Sequence, residues 1–174
     1  MLTDEEFAEF VQSRGPALLR TACFLSGSRH DGEDLLQQTL VSVYASYKRI
    51  REPAALEAYV RTAMVRASIS AGRKAWRRRE WSTDTLPEGS ATASSEEASI
   101  HDRGELWPML RLLSPQQRAV MVLRYYDDLS EAQIARQLGC SPGTVKGHAS
   151  RALKSLRRQM TSQTRTNATE GEIA

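Results

Sequence analysis

Residues 130–158 read SEAQIARQLGCSPGTVKGHASRALKSLRR, and the punctuation of this stretch decides the fold. Ser130, with Gln133 three residues on, forms a capping box that starts a helix. Ile134, Ala135 and Leu138 recur at helical spacing and make its inner face. Gly139 falls where the chain must turn, and glycine accepts the positive φ of a tight turn. Ser141 caps a second helix, and Pro142 takes its first position, where no backbone N–H is missed. Val145, Ala149, Leu153 and Leu156 point back to a core, while Thr144, Lys146, His148, Arg151 and Lys154 occupy the other face. The small Ala135 lets the two helices cross closely. A helix with an apolar back and a basic, hydrogen-bonding front suits the major groove, so the stretch reads as a helix-turn-helix. A plain hairpin with a solvated basic face is the rival reading. It does not account for cap, small residue, turn glycine and buried valine falling in register together.

The chain around this motif has 174 residues, enough for one large or two small domains. Aromatics are few, at 6%, and alanine, leucine and arginine are plentiful, which favours helices over sheets. Net charge is only +3, but the basic and acidic residues sit in different places. Cys23 and Cys140 lack paired spacing and, with His30, His101 and His148, form no zinc pattern, so no metal or cofactor is expected. A reducing cytoplasm is the simplest setting. Acidic residues appear by Asp4, unlike a signal peptide, and no apolar run is long enough to span a bilayer.

Upstream, Thr3 and Glu6 form a capping box before Phe7, Phe10 and Val11. Gly15-Pro16 is expected to break that helix, and a second carries Leu18, Leu19, Ala22 and Leu25 to Ser26-Gly27. Asp31 is expected to cap the next, with Leu36, Leu40, Val43 and Tyr47 as its inward stripe. Asp34, Gln37, Gln38 and Val41 lie on another side, either solvated or facing a basic partner. Pro53 starts a long helix with Leu56, Tyr59, Val60, Ala63 and Met64 on its apolar side. From Arg61 to Arg79 basic residues recur with no acidic interruption, and Trp76 lies among them. Charges of one sign this dense gain from a polyanion, and arginine with aromatics contacts phosphate and stacks on bases. A disordered basic linker is the alternative for the end of that run.

The composition then flips. Residues 82–104 are rich in Ser, Thr, Ala and Glu and cannot bury a core, so they read as a flexible acidic tether. Leu106, Met109, Leu110 and Leu113 open a second domain, and Ser114-Pro115-Gln116-Gln117 restarts a helix packed by Ala119, Val120, Val122, Leu123 and Tyr126. Asp127-Asp128 turns into the helix-turn-helix. The expected organisation is all-α: a helical domain over 1–81, the linker over 82–104, a second helical domain over 105–160 and a disordered tail over 161–174.

This pattern resembles the extracytoplasmic-function sigma factors of bacterial RNA polymerase, and the sigma-E-like actinobacterial members most. The resemblance rests on DGEDLLQQTL, similar to the family's D-x-E-D-L-x-Q-E-[TA], on AYVRTAMVRASISAGRKAWRRR, and on LSPQQRAVMVLRYYDDLSEAQIARQLGCSPGTVKGHASRALKSLR. It implies two domains, sigma regions 2 and 4. Asp34, Gln37, Gln38 and Val41 would grip the clamp coiled coil of the polymerase's largest subunit, with the flap as a further contact. Arg61, Arg66, Ser68, Ser70, Arg73, Lys74, Trp76 and Arg77 would read and open the −10 element, flipping a base of the non-template strand. Ser141, Thr144, Lys146, Gly147, His148, Arg151 and Lys154 would read the −35 element. Gln38, Arg66, Gly147 and His148 depart from the family's usual residues. The implied function is an alternative sigma factor in the cytoplasm, at the nucleoid, which binds core polymerase and promoter DNA and is open to control by an anti-sigma partner. No catalytic residues are expected, for no catalytic triad, carboxylate pair or phosphate loop stands out. The rivals are a stand-alone helix-turn-helix regulator, which leaves Asp34, Gln37, Gln38 and the basic helix unexplained, and an RNA-binding adapter.

Overall fold

The computed structural model describes residues 3–50, 54–81 and 106–170, with side chains over 3–50, 54–74 and 107–161. Regular structure among the described residues is helical: α1 (Asp4–Ser26), α2 (Arg29–Tyr44), a 3-10 turn (Tyr47–Arg49), α3 (Ala54–Trp81), α4 (Leu106–Arg111), α5 (Pro115–Tyr125), α6 (Glu131–Leu138) and α7 (Pro142–Glu170).

The first module is α1 to α3. Glu6 N–H donates to Thr3 Oγ1 at 3.2 Å and Thr3 N–H to Glu6 Oε2 at 2.7 Å, the expected capping box. α1 then runs unbroken through Pro16. A proline inside a helix loses one hydrogen bond, but the carbonyl it would have used belongs to Gln12, on an exposed part of the helix where water can serve it. The helix ends at Gly27, whose φ of 80° closes the turn. α2 is capped by Ser28, not by Asp31: Asp31 N–H donates to Ser28 Oγ at 3.1 Å, three residues into the motif. Gly32 marks the close crossing of α1 and α2, since a Cβ there would stand 2.6 Å from Cys23 Cα. Leu18, Leu25, Val43, Tyr47, Leu56, Val60, Met64 and Val65 fill the core between the three helices. Each fully buried aliphatic side chain contributes about 1.5–3 kcal/mol. Tyr59, expected on the apolar side of α3, is 46% exposed, and Val65 and Ile69 take the inward positions instead.

The second module is α4 to α7. Ser114 and Gln117 form the expected capping box with Pro115 in the first turn, and Ser130 and Gln133 form another on α6. Gly139 ends α6 at φ 68°. Ala119, Val120, Val122 and Leu123 of α5 meet Ile134 and Ala135 of α6 and Val145, Ala149 and Ala152 of α7. α7 continues to Glu170, so residues 161–170 are helical where a disordered tail was expected from 161. No proline follows Pro142 and no glycine stands between Gly147 and Gly171, so nothing stops the helix after Met160. The linker 82–104 and residues 171–174 lie outside the described residues.

The two modules touch along a seam. Phe24 of α1 stacks on Trp107 with ring centroids 5.7 Å apart and tilts against Tyr126 at 4.7 Å. Arg118 of α5 donates to the carbonyls of Leu25 and Ser26 at the end of α1, at 3.2 and 3.0 Å, and to that of Leu110 at 2.8 Å. Arg111 Nε donates to the Gly27 carbonyl at 2.7 Å. Gly72 of α3 lies under Pro115, whose Cγ would be 2.2 Å from a Cβ at that position.

Candidate nucleic-acid interface

Three stripes of side chains, one each on α2, α3 and α7, hold the candidate residues. On α7 the first turn is tied by Ser141, whose Oγ accepts from Thr144 N–H at 3.1 Å and lies 2.9 Å from Thr144 Oγ1. Val145, Ala149 and Ala152 are buried beneath, which fixes the outward direction of the rest. Thr144, Gly147, His148, Arg151 and Lys154 each stand three or four residues from another of the set and share a face. Lys146 is exposed but stands roughly 140° round the axis from Arg151, at about 100° per residue. The structure therefore separates it from the face on which the sequence pattern put it. His148 is half-buried, and Arg151 Nη2 lies 3.4 Å from its Nδ1. Burial, and then the Arg151 charge, hold its pKa below the ordinary histidine value. The imidazole is thus neutral at pH near 7 and offers both a donor and an acceptor.

On α3 the basic run divides in two. Arg66, Ser70 and Arg73 stand at intervals of four and three and are exposed, with Lys74 beside them. Arg61 instead faces the seam, and Ser68 turns to α1 within the first module. Arg61 Nη1 donates to Asp127 Oδ1 at 2.6 Å and to Thr21 Oγ1 at 3.2 Å, and its Nη2 lies 3.1 Å from Glu57 Oε1. Ser68 Oγ donates to the Leu25 carbonyl at 3.2 Å. Arg66 Nε reaches the Gln137 carbonyl of α6 at 3.4 Å, a long and weak contact. The side chains of Trp76 and Arg77 lie outside the described residues.

On α2, Asp34, Gln37, Gln38 and Val41 are exposed at helical spacing, and Val41 is 72% exposed. Asp34 Oδ2 lies 3.8 Å from His30 Nε2. Tyr44, three residues beyond Val41, carries the stripe one turn further at 48% exposure. Its spacing could have flagged it in the sequence.

Asp127 had only a turn-forming role in the sequence reading. Its side chain is 7% exposed. Oδ1 takes the Arg61 bond, and Oδ2 is buried without a hydrogen-bond partner. Burial raises its pKa, opposed by the Arg61 charge. No local sequence signal marks this pair, because its members stand 66 residues apart.

Comparison with known proteins gives the family. Residues 10–78 match sigma-70 region 2 and residues 103–156 match sigma-70, region 4. The RNA polymerase sigma-E factor of Streptomyces avermitilis is 38% identical over 161 residues, covering 91% of this chain and 87% of that protein. The sigma-E factor of Streptomyces coelicolor is 37% identical over 158 residues, 89% of this chain and 86% of that one. The ECF RNA polymerase sigma factor SigE of Mycolicibacterium smegmatis is 30% identical over 86% of this chain and 59% of its own length. Among solved structures, the sigma factor RpoE in complex with the anti-sigma factor NepR from Bartonella quintana superposes with a TM-score of 0.69 at 27% identity, over 90% of this chain and 98% of that one. A stand-alone regulator would carry region 4 without region 2. With both present in order, the chain belongs to the sigma-70 family and is an alternative RNA polymerase sigma factor of the extracytoplasmic-function, sigma-E-like kind.

Proposed function

We propose that α2 holds core polymerase while α3 and α7 carry the two promoter contacts, and that the chain spans both elements at once. The single observation behind this division of labour is that the three polar stripes stand on three different helices, each backed by core side chains. Asp34, Gln37 and Gln38 offer acceptors suited to arginines on a clamp coiled coil. Val41 and Tyr44 add an apolar patch beside them, which water favours covering. Arg66, Ser70, Arg73 and Lys74, with Trp76 and Arg77 beyond, track the −10 strand by phosphate contact and stacking. Arg61 and Ser68 lie off this exposed row, Arg61 bonded to Asp127 and Ser68 to the Leu25 carbonyl of α1. Unpairing a base costs a few kcal/mol, offset by these contacts and by the pocket that receives it.

Ser141, Thr144, Gly147, His148, Arg151 and Lys154 then face the −35 groove, with Lys146 at its edge. The boundaries suit these roles: 1–81 for core and −10 binding, 82–104 as tether, 105–160 for −35 binding. The chain makes no bonds itself; the polymerase does the chemistry, in the cytoplasm and at the nucleoid. Among the described residues no helix is long and apolar enough to cross a membrane. The RpoE neighbour is bound to an anti-sigma factor, and a partner of that kind is the controller we infer for this chain.

Run-off transcription with core polymerase tests the whole reading. Promoter-dependent transcripts are expected with the chain and none with core alone. A chain that binds duplex DNA but neither co-purifies with core nor supports a transcript would sink it.

A further inference from the structure

Gly147 stands inside α7 with no need of a glycine's backbone, since the positive-φ glycines among the described residues are Gly27 and Gly139. Glycine weakens a helix interior, because the unfolded chain loses more freedom there. What occupies the space of the missing Cβ is another side chain. Beyond the chain neighbours and the backbone of its own turn, the three atoms nearest to a Cβ built on Gly147 all belong to the Arg151 guanidinium: Nη2 at 3.6 Å, Cζ and Nη1 at 3.9 Å. The guanidinium therefore lies back along the helix, one turn toward its N-terminus and across bare backbone.

His148 meets it from the side, with its Nδ1 3.4 Å from Arg151 Nη2. A guanidinium only donates, so Nδ1 accepts and the imidazole proton sits on Nε2. The contact is long and adds little stability. Its effect is to select one orientation of a side chain that otherwise has many. Arginine reads a base by presenting two coplanar donors to two acceptors, such as O6 and N7 of guanine, so the direction of its plane decides what it binds. A side chain held in place before binding has less freedom to lose at the interface.

We propose that His148 is a positioning residue for Arg151: with the bare backbone of Gly147 beneath, its imidazole aims the guanidinium at one base pair of the −35 element, and discrimination at that pair depends on this hold and not on a bond from His148 to DNA. The proposal rests on the assignment of α7 to the −35 groove, and the experiment separates the two. Only the neutral imidazole can act this way. Protonated, Nδ1 becomes a donor and sets a second positive charge against Arg151. Burial and the Arg151 charge both favour the neutral form, and among the described residues of α7 and of α5 and α6 packed on it, Arg151 is the charged group that acts on His148.

Run-off transcription by the full-length chain with core polymerase is measured on a transcribed promoter and on its variants at each −35 base pair. Discrimination is then a ratio read within one protein at one pH. Arg151→Ala is expected to reduce discrimination at one pair by about tenfold or more. His148→Ala should reduce it at the same pair, by about three- to tenfold, and leave the other pairs as in wild type. The double variant should be no worse than Arg151→Ala alone, since both changes remove one contact. His148→Asn, whose amide oxygen replaces Nδ1 as acceptor, should restore discrimination. As pH falls below 6.5, through the lowered pKa of His148, the wild type should lose discrimination at that pair while His148→Asn stays level. A merely structural role would move all pairs together and show no such difference between the two proteins. Loss at a different pair in His148→Ala means that His148 bonds DNA itself, and overturns the proposal. Full discrimination in His148→Ala, where Arg151→Ala has lost it, overturns it too; the −35 assignment stands in both cases. If neither variant changes any pair, that assignment falls as well.

Discussion

Lys146 and Arg151 belong to one helix and point to different places, and that difference is measurable. Arg151 shares its face with Thr144 and His148, the face proposed for the −35 groove, so Arg151→Ala should cost about 1–3 kcal/mol of binding on the cognate −35 sequence and little on scrambled DNA. Lys146 lies off that face. Lys146→Ala should weaken binding on every sequence alike and lower the salt slope by about one. Gel shifts at two salt concentrations distinguish the two patterns, and equal behaviour of both variants would contradict the geometry. On α2, Val41→Asp should lower affinity for core polymerase in a pull-down while changing stability by less than about 0.5 kcal/mol, because the side chain is already 72% in water.

Two carboxylates also oppose each other in acid. Arg14 bonds Glu57 through both oxygens, at 2.7 and 2.8 Å, and this, with Arg61, holds the Glu57 pKa below its ordinary 4.5 against the opposing effect of burial. Its stabilisation is full above 4.5 and is lost as pH falls through the lowered value. Asp127 runs the other way: burial raises its pKa, so the cost of its charge is present above that raised value and fades as pH falls. Urea midpoints followed from neutral pH into acid should therefore fall less steeply in Glu57→Gln than in wild type, and more steeply in Asp127→Asn.

At the scale of elements, the glycines report how closely the helices are set. Gly32→Ala drives a Cβ into the backbone of Cys23 at 2.6 Å and should cost about 1–3 kcal/mol in chemical denaturation, by forcing α1 and α2 apart. Gly139→Ala meets no neighbour but must hold φ near 68°, at a cost of about 1–2 kcal/mol. If Gly32→Ala proves the milder of the two, the crossing is looser than the structure makes it.

Such elements differ in how plainly the sequence announces them. The capping boxes at Thr3, Ser114 and Ser130 and the turn at Gly139 are local signals, three residues or one residue wide, and each is present where its residues stand. Pro16 misleads because its helix is kept whole by tertiary packing along Leu18, Ala22 and Leu25, which no local rule contains. Ser28 and Asp31 are both good caps; the structure takes Ser28, which adds a first turn and places Asp31 at the third helical position. The exposed stripe on α2 is legible from spacing alone, whereas the division of the basic run on α3 is not. Which arginine faces solvent depends on Asp127, far along the chain.

For the molecule as a whole, the seam couples two modules that the sequence presents as separate. Heating should give one calorimetric transition for the wild type, with calorimetric and van't Hoff enthalpies equal. Gly72→Ala should split it into two, since each module keeps its own core while the contact between them goes. Two transitions in the wild type would mean the modules unfold independently and the seam carries no coupling. Charge asymmetry acts at this scale too. The 82–104 segment carries acidic residues while α7 and the exposed face of α3 are basic, so the cations gather on two surfaces rather than forming a uniform coat.

Arg118 gives the seam a further property. Its guanidinium is surrounded by amide oxygens rather than carboxylates, taking Leu25, Ser26, Leu110, Arg111 and Leu113 as acceptors. Dissolved ions compete for formal charges far better than for half-buried peptide dipoles. Salt that screens contacts to DNA phosphates would therefore loosen this fastening far less, so the end of α1 stays joined to α5 under ionic conditions that weaken nucleic-acid binding.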